Sequence, residues 1–389
     1  MYAPRTEERD IVTGREQLIY RTLGRTGLKV SQLGFGAMRL PMTEVDGKQV
    51  ADRELAIPMI HRAFEEGLNY IDTAVGYLNE DSQRVVGEAL KGWREKIVVS
   101  TKNPYYGDEE KAWWKNLEDS LERLDVSYID VYNHHGINWE RYVNDVEPRV
   151  SKWMLKAKEQ GLIHHICTSF HDDNEALKRL VDTGYFESIT LQYNLLDQKL
   201  ADGIAYAHAN NVGVVVMGPV AGGRLGGPSE ILTGLIPGVE RVPELALRFV
   251  LANPGVTLAL SGMSTLQMVE ENLATAADEI SLTEEDQTMI ATHIQQLAEM
   301  EKLYCTGCKY CQPCPEGVNI PYIFDMYNLG KVYGLWSVAQ ENYAAFPEQQ
   351  WQGGKQADAC IECGICEEKC PQHIQIREQL KAAHAALAS

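Results

Sequence analysis

The chain is constrained most by an alternation that begins at Leu33 and repeats eight times: a short apolar run suited to a strand, then a stretch with the spacing of an amphipathic helix. The strand runs are Leu33 to Leu40, Leu68 to Asp72, Ile97 to Lys102, Tyr128 to His135, Ile163 to Phe170, Ile189 to Asn194, Val212 to Gly218 and Val256 to Ser261. The helical stretches that follow them are Leu55 to Phe64, Ser82 to Leu90, Trp113 to Leu124, Val150 to Gln160, Asn174 to Val181, Ala201 to Asn210, Pro243 to Leu251 and Thr265 to Ala274. Strand-helix units in this number, over about 250 residues, predict an α/β fold, a (β/α)8 TIM barrel. Ahead of it, Tyr20 to Ser31 is β-rich and broken by Gly24 and Gly27, which predicts a β-hairpin, and residues 1–19 read as a polar lead-in.

A further helical stretch, Glu284 to Glu299, leads out of the barrel, which is expected to span residues 20–300. Residues 301–389 differ in character. They hold eight of the nine cysteines in two runs, Cys305 to Cys314 and Cys360 to Cys370, around an aromatic helical segment, Ile320 to Phe346, and they close with a helix at Ile376 to Leu387. This reads as a second, smaller, mainly helical domain. With 36 basic against 55 acidic residues the net charge is -19, which repels nucleic acid and anionic lipid. No apolar stretch reaches the roughly 18 residues of a membrane span, and Met1 to Asp10 is too polar for a signal peptide, so a cytoplasmic protein is expected. Cysteines clustered this tightly in a reducing compartment point to metal rather than disulfides.

In a parallel barrel the chemistry collects where strand ends meet the following loops. Asp72, Lys102 and His135 end the second, third and fourth strand runs, and Tyr77 follows Asp72 by five residues in Y-I-D-T-A-V-G-Y. Taken singly, such residues are usually a cap, a solvated cation and a hydrogen-bonded scaffold histidine. In register they make a proton-donor unit. A phenol titrates near 10, and a neighbouring ammonium favours its ionised form. Tyr77 is then the acid, Lys102 its tuner, Asp72 the anchor of Lys102, and His135 the group that orients a substrate carbonyl or shares the proton. His134 should face the other side of the strand and be structural.

These motifs, Y-I-D-T-A-V-G-Y, S-T-K and D-V-Y-N-H-H, resemble those of the aldo-keto reductase superfamily from about Tyr20 to Glu299. The resemblance implies a catalytic tetrad of Asp72, Tyr77, Lys102 and His135 and an NAD or NADP cofactor exchanging hydride with a small carbonyl or alcohol substrate. It also implies that Ser169 and Gln192 hold the carboxamide and that Met217 stacks where a tyrosine is common. Gly218, Pro219, Gly222, Gly223, Arg224 and Leu225 would lie near the pyrophosphate, and Glu271 and Asn272 near the adenine. A glycine-rich loop after the seventh strand agrees with this, since it can offer free backbone N–H groups to an anion. Where the family often carries Lys and Arg for a 2'-phosphate, this chain has Gly262, Met263 and Ser264, then Gln267 and Met268. NADH is therefore expected to serve at least as well as NADPH.

The second cysteine run, C-I-E-C-G-I-C-E-E-K-C-P, resembles the CxxCxxCxxxCP of bacterial-type ferredoxins. The first, C-T-G-C-K-Y-C-Q-P-C-P, is one residue short before its fourth cysteine. In two-cluster ferredoxins the fourth cysteine of each run serves the other run's cluster. That rule implies one [4Fe-4S] cluster on Cys305, Cys308, Cys311 and Cys370, and another on Cys360, Cys363, Cys366 and Cys314. Zinc is the alternative for CxxC pairs. Cys167, alone in a strand, reads as a small core residue. The whole chain resembles the aldo-keto reductases that carry a C-terminal ferredoxin-like domain.

Three functional readings follow. In the first, the clusters shape the tail of a simple reductase or dehydrogenase. In the second, they relay electrons to a redox partner protein or a flavin, because a cluster moves one electron at a time and nicotinamide two. In the third, the barrel is a non-catalytic binding or regulatory module, which an intact tetrad argues against. Tyr105, Tyr106, Asn138 and Trp139 follow the third and fourth strands and either line the substrate pocket or pack.

Overall fold

The structure is a computed structural model, and it describes residues 18–235, 238–277, 283–302, 305, 308–349, 353–371 and 373–389. Nearly all of the expected lead-in lies outside the described residues.

The short strands β1 (Tyr20–Thr22) and β2 (Lys29–Ser31) pair antiparallel, as the glycine-broken segment predicts. Their Leu23 and Val30 are fully buried against Tyr70, Val98, Val131, Cys167, Val215 and Leu258. Several of these residues open barrel strands, so the hairpin plugs the end of the barrel remote from the strand tips. A Cβ on Gly24 would lie 2.0 Å from the Gly213 nitrogen, which is why glycine occupies this contact.

The barrel itself consists of β3 (Leu33–Gly36), β6 (Tyr70–Asp72), β7 (Val98–Asn103), β8 (Ile129–Ile137), β9 (Ile163–Phe170), β10 (Ser188–Gln192), β11 (Gly213–Met217) and β12 (Leu258–Gly262). Each pairs in parallel with its neighbour in sequence, and β12 closes on β3. All eight expected strands are present. Between β3 and the first barrel helix runs a second hairpin, β4 (Met42–Val45) and β5 (Lys48–Ala51), which the periodicity did not reveal. Its signal was Asp46-Gly47, both at positive φ (52° and 74°), the turn that matches the twist of a two-residue hairpin.

The helix that follows, Arg53–Glu65, starts at Asp52, whose side chain accepts from the N–H groups of Glu54 and Leu55. Register decides what meets at the strand tips. Asp72 lies level with Ser100, and Lys102 level with Asn133, so the tips of β6, β7 and β8 are brought side by side.

Beyond the barrel, helix Glu284–Lys302 leads to helices Ile320–Tyr333, Trp336–Ala345 and Ile376–Leu387. Ile320, Phe324, Leu329, Leu335, Leu380 and Ala383 are buried and belong to the same core as the outer face of the barrel. The tail docks on the segment after β11. Ser229 Oγ donates to the Tyr333 carbonyl at 2.6 Å, Arg224 Nη2 to Asp325 Oδ1 at 3.0 Å, and a Cβ on Gly227 would meet Ser337 and Val338 at 2.7 Å. No helix among the described residues is long and apolar enough to cross a membrane.

Candidate active site and cysteine cavities

Lys102 and Asp72 are almost wholly buried, at 2% and 4% exposure. The Lys102 ammonium donates to Asp72 Oδ2 at 2.5 Å and to the Thr73 carbonyl at 2.8 Å, and it stands 4.9 Å from the centre of the Tyr77 ring. Burial pulls the ammonium's pKa down. The charges and hydrogen bonds of Asp72 and Tyr77 outweigh that pull and hold it above its ordinary value. Asp72 is fixed on its other oxygen by Ser100 Oγ at 2.7 Å, and Ser100 in turn accepts from Asn133 Nδ2 at 3.0 Å. The sequence reading gave no role to Ser100 and Asn133, although both lie within the S-T-K and D-V-Y-N-H-H motifs.

His135 completes the group. Its ring meets that of Tyr77 edge-on, centres 6.3 Å apart, and burial, aided by the Lys102 charge, pushes its pKa down to about 4. It is therefore a neutral imidazole at ordinary pH. Its backbone is pinned, because Tyr106 Oη donates to the His135 carbonyl at 2.9 Å and Gly136 N donates to Ser169 Oγ at 2.8 Å. His134 takes the opposite face as expected, buried against Tyr185 and Phe186 with Nε2 at 3.1 Å from Tyr185 Oη. Trp139 stacks on Tyr142 and lies under Arg179, while Tyr105 Oη accepts from Glu109 N at 3.0 Å. Tyr105, Tyr106 and Trp139 thus all have packing duties.

Around the same end of the barrel stand the residues that the resemblance linked to a cofactor. Ser169 is buried, and accepting from Gly136 leaves its hydroxyl free to donate. Gln192 lies against Gly218, where a Cβ would sit 2.8 Å from Nε2, and Gly218 has φ +64°. Met217, at the tip of β11, is half-buried, and Pro219 is buried. The loop beyond is less open than its glycines suggest. Gly223 N and Leu225 N donate to the Val220 carbonyl, and Arg224 N donates to that of Ala221. The Leu225 side chain belongs to the core, and Arg224 is turned to Asp325.

Gly262 ends β12, and Ser264 is exposed. Glu271 bonds Arg241 at 2.5 Å and Gln267 at 2.8 Å, while Asn272 donates inward to Ser261 at 3.0 Å. One further cation stands here that the sequence reading did not single out. The stem of Arg39, in the loop after β3, runs over Gly262 and its guanidinium reaches Gly222.

The tail cysteines surround two neighbouring cavities. Cys305, Cys308, Cys311 and Cys370 line one, together with Ile320, Phe324, Ile374 and Ile376. Cys314, Cys360, Cys363 and Cys366 line the other, with Cys311 at the shared wall. Among the described residues no three Cys, His, Asp or Glu side chains converge as a single metal ion would require. Burial pushes the Cys311 thiol up to about 11. Cys167 is a core residue, buried and accepting from Ser188 Oγ at 2.8 Å.

A sequence model described as "Aldo/keto reductase family" matches residues 32–232, more than half of the 389-residue chain. The chain belongs to the aldo/keto reductase family. A second model, "4Fe-4S dicluster domain", matches residues 304–375. Among its relatives is the L-galactose dehydrogenase of Arabidopsis thaliana, 30% identical over 302 residues, covering 69% of this chain and 91% of that one. The NADH-specific methylglyoxal reductase of Escherichia coli is 26% identical over 322 residues, with coverage of 69% and 96%. The holo form of the aldo-keto reductase AKR11C1 from Bacillus halodurans superposes with a TM-score of 0.61 at 29% identity, over 71% of this chain and 96% of that one. This aldo-keto reductase is accordingly an NAD(P)-dependent oxidoreductase that carries a 4Fe-4S domain at its C-terminus.

Proposed function

We propose that the barrel, residues 20–300, interconverts a small carbonyl compound and its alcohol, with Tyr77 as the general acid and base. The reading is carried by the placement of Lys102, buried and bonded to Asp72, with its ammonium against the Tyr77 ring. Lys102 stabilises the phenolate that forms when Tyr77 gives up its proton, and Asp72 holds Lys102 where it can do so. His135, neutral and held by its backbone, hydrogen-bonds the substrate oxygen and orients it toward Tyr77. Ser169 and Gln192 hold the nicotinamide carboxamide, and Met217 packs on the ring. The nicotinamide, when bound, supplies or accepts the hydride. NADH serves at least as well as NADPH, because Ser264, Gln267 and Met268 offer no charge to a 2'-phosphate and Glu271 is already paired. NADPH binding about tenfold tighter than NADH would overturn that preference.

Residues 301–389 hold two [4Fe-4S] clusters, one on Cys305, Cys308, Cys311 and Cys370, the other on Cys314, Cys360, Cys363 and Cys366. Two cavities support that assignment, one lined by the first four thiols and the other by the second four with Cys311 shared between them. A cluster, when bound, takes or gives single electrons. The enzyme works in the cytoplasm on a polar carbonyl or sugar, the chemistry named in two of its relatives.

The test is an anaerobically purified enzyme assayed for iron and sulfide, then screened for NADH and NADPH oxidation with aldehydes, ketones and sugars. Tyr77→Phe should still bind NADH and lose turnover by a factor of about a thousand. Undiminished turnover in that variant would remove the catalytic reading and leave the barrel a binding module. Bleaching of the clusters' visible absorbance by NADH alone would favour an electron relay to a partner protein.

A further inference from the structure

His135 stands where the strand ladder gives out. β8 pairs with β7 as far as His134, opposite Asn103, and its register with β9 breaks between His134 and Ile137, with Gly136 at φ +76°. A bulge of this kind re-aims a side chain and leaves backbone groups to be satisfied outside the ladder. Side chains take them up here. The His135 carbonyl accepts from Tyr106 Oη at 2.9 Å, and the Gly136 carbonyl accepts from Arg141 Nη1 at 2.8 Å.

Tyr106 can aim its hydroxyl only if its own loop, 104–109, is held in place. Arg149 holds it, from the π-helical stretch Tyr142–Val150 that follows β8. Its Nη2 donates to the Tyr106 carbonyl at 2.8 Å and to Asp145 Oδ1 at 2.9 Å, while Nη1 meets Asp108 Oδ1 at 3.0 Å. Arg141, Asp145 and Arg149 recur every four residues and so share one face. That face is turned to Tyr106, whose ring centre lies 4.7 Å from the Arg141 guanidinium. Burial also raises the Tyr106 phenol above its ordinary value, which keeps it protonated and able to donate.

We propose that Arg149 is a positioning residue for His135: it fixes the Tyr106 backbone, and the Tyr106 hydroxyl fixes the His135 carbonyl at the break in β8. This rests on the reading above of His135 as the group that orients the substrate oxygen. A bond from a guanidinium exceeds a neutral one in strength, and displacing a catalytic group by about 1 Å can cost about a hundredfold in rate.

The experiment uses the full-length, cluster-loaded protein as wild type, Arg149→Gln, Arg149→Lys, Tyr106→Phe, Arg149→Gln with Tyr106→Phe, and His135→Asn. Hydrogen exchange is followed in segments 104–109 and 134–138, and kinetics are measured with NADH and the fastest carbonyl substrate of the screen above. Arg149→Gln should speed exchange in both segments and lower kcat about tenfold, with Kd for NADH unchanged within about twofold. Arg149→Lys, which can still donate to the Tyr106 carbonyl, should recover most of both. The double variant should be no slower than the worse single, because both changes break one link. Faster exchange confined to 104–109 would overturn the proposal. A double variant whose loss is the product of the two single losses would also overturn it, since Arg149 would then act apart from Tyr106. Full turnover in His135→Asn would instead remove the His135 reading on which the proposal stands, whatever the exchange shows.

Discussion

Replacing Asp72 by Asn leaves the shape of the site nearly intact and removes one charge, which makes it a clean probe of the buried pair. Lys102 is 2% exposed and Asp72 4%, so the ammonium would keep only the Thr73 carbonyl and a neutral amide as partners. Breaking a buried pair by removing one member costs about 3–5 kcal/mol, mostly because a charge is stranded in a place that water cannot reach. Replacing both, as Asp72→Asn with Lys102→Met, strands nothing and should return most of that loss, although turnover stays absent. The pair's contribution also has a defined pH window. The Lys102 pKa lies above its ordinary 10.5, so the stabilisation is complete below that value and is lost only as pH rises through the higher folded value. The assay is chemical unfolding followed by the barrel's tryptophans, run on the wild type, both single variants and the double. A double variant no more stable than Asp72→Asn would refute the argument, since the destabilisation would then come from lost packing and not from an unpaired charge.

Two histidines give a second pH window. Burial pushes His134 down to about 3 and His135 to about 4, from an ordinary 6.5. The unfolded chain therefore binds protons between about 6.5 and 4 that the folded chain refuses, and stability falls as pH drops through that range. At about pH 5 the cost from His135 is about 2 kcal/mol, so His135→Asn should lose that much less stability than the wild type between about pH 7 and 5 in urea unfolding. At the barrel plug, Leu23→Ala should cost about 2–5 kcal/mol in the same assay, because Leu23 is wholly buried. The two polar ties between tail and barrel should behave differently. Arg224→Ala breaks a pair exposed at 35% and 39% and should cost under about 1 kcal/mol, whereas Ser229→Ala removes a buried hydroxyl that donates to the Tyr333 carbonyl and accepts from Leu232 N, and should cost about 1–3 kcal/mol.

The barrel and the convergence of Asp72, Tyr77, Lys102 and His135 were legible in the sequence because both rest on short-range signals that tertiary context reinforces. An apolar run followed by helical spacing fixes a unit, and a polar residue at the end of each run reports the strand tip. Asp72, Lys102 and His135 needed only the assumption of parallel order to be placed together. What escaped depended on contacts between segments far apart in sequence. Ser100 and Asn133 look like unremarkable strand residues until register sets them beside Asp72. Nothing near Arg39 in sequence shows that its stem, though exposed, lies along Gly262 with its head near Gly222. The glycine-rich loop misled in the opposite direction. Its composition promised free N–H groups, and the chain used several of them to close its own turn.

How the clusters bear on the barrel can be argued from one helix. Ile320–Tyr333 contributes Ile320 to the walls of both cysteine cavities and Phe324 to one of them. The same helix presents Asp325 to Arg224 and the Tyr333 carbonyl to Ser229, on the segment that follows β11. A group that fills the cavities and ties four thiols each would therefore fix the helix, and through it the loop expected to lie near the pyrophosphate. An electron relay requires short distances to a donor and an acceptor but nothing of this linkage. The linkage is what a structural role for the clusters requires, so loss of iron should weaken dinucleotide binding before it alters the chemistry at Tyr77.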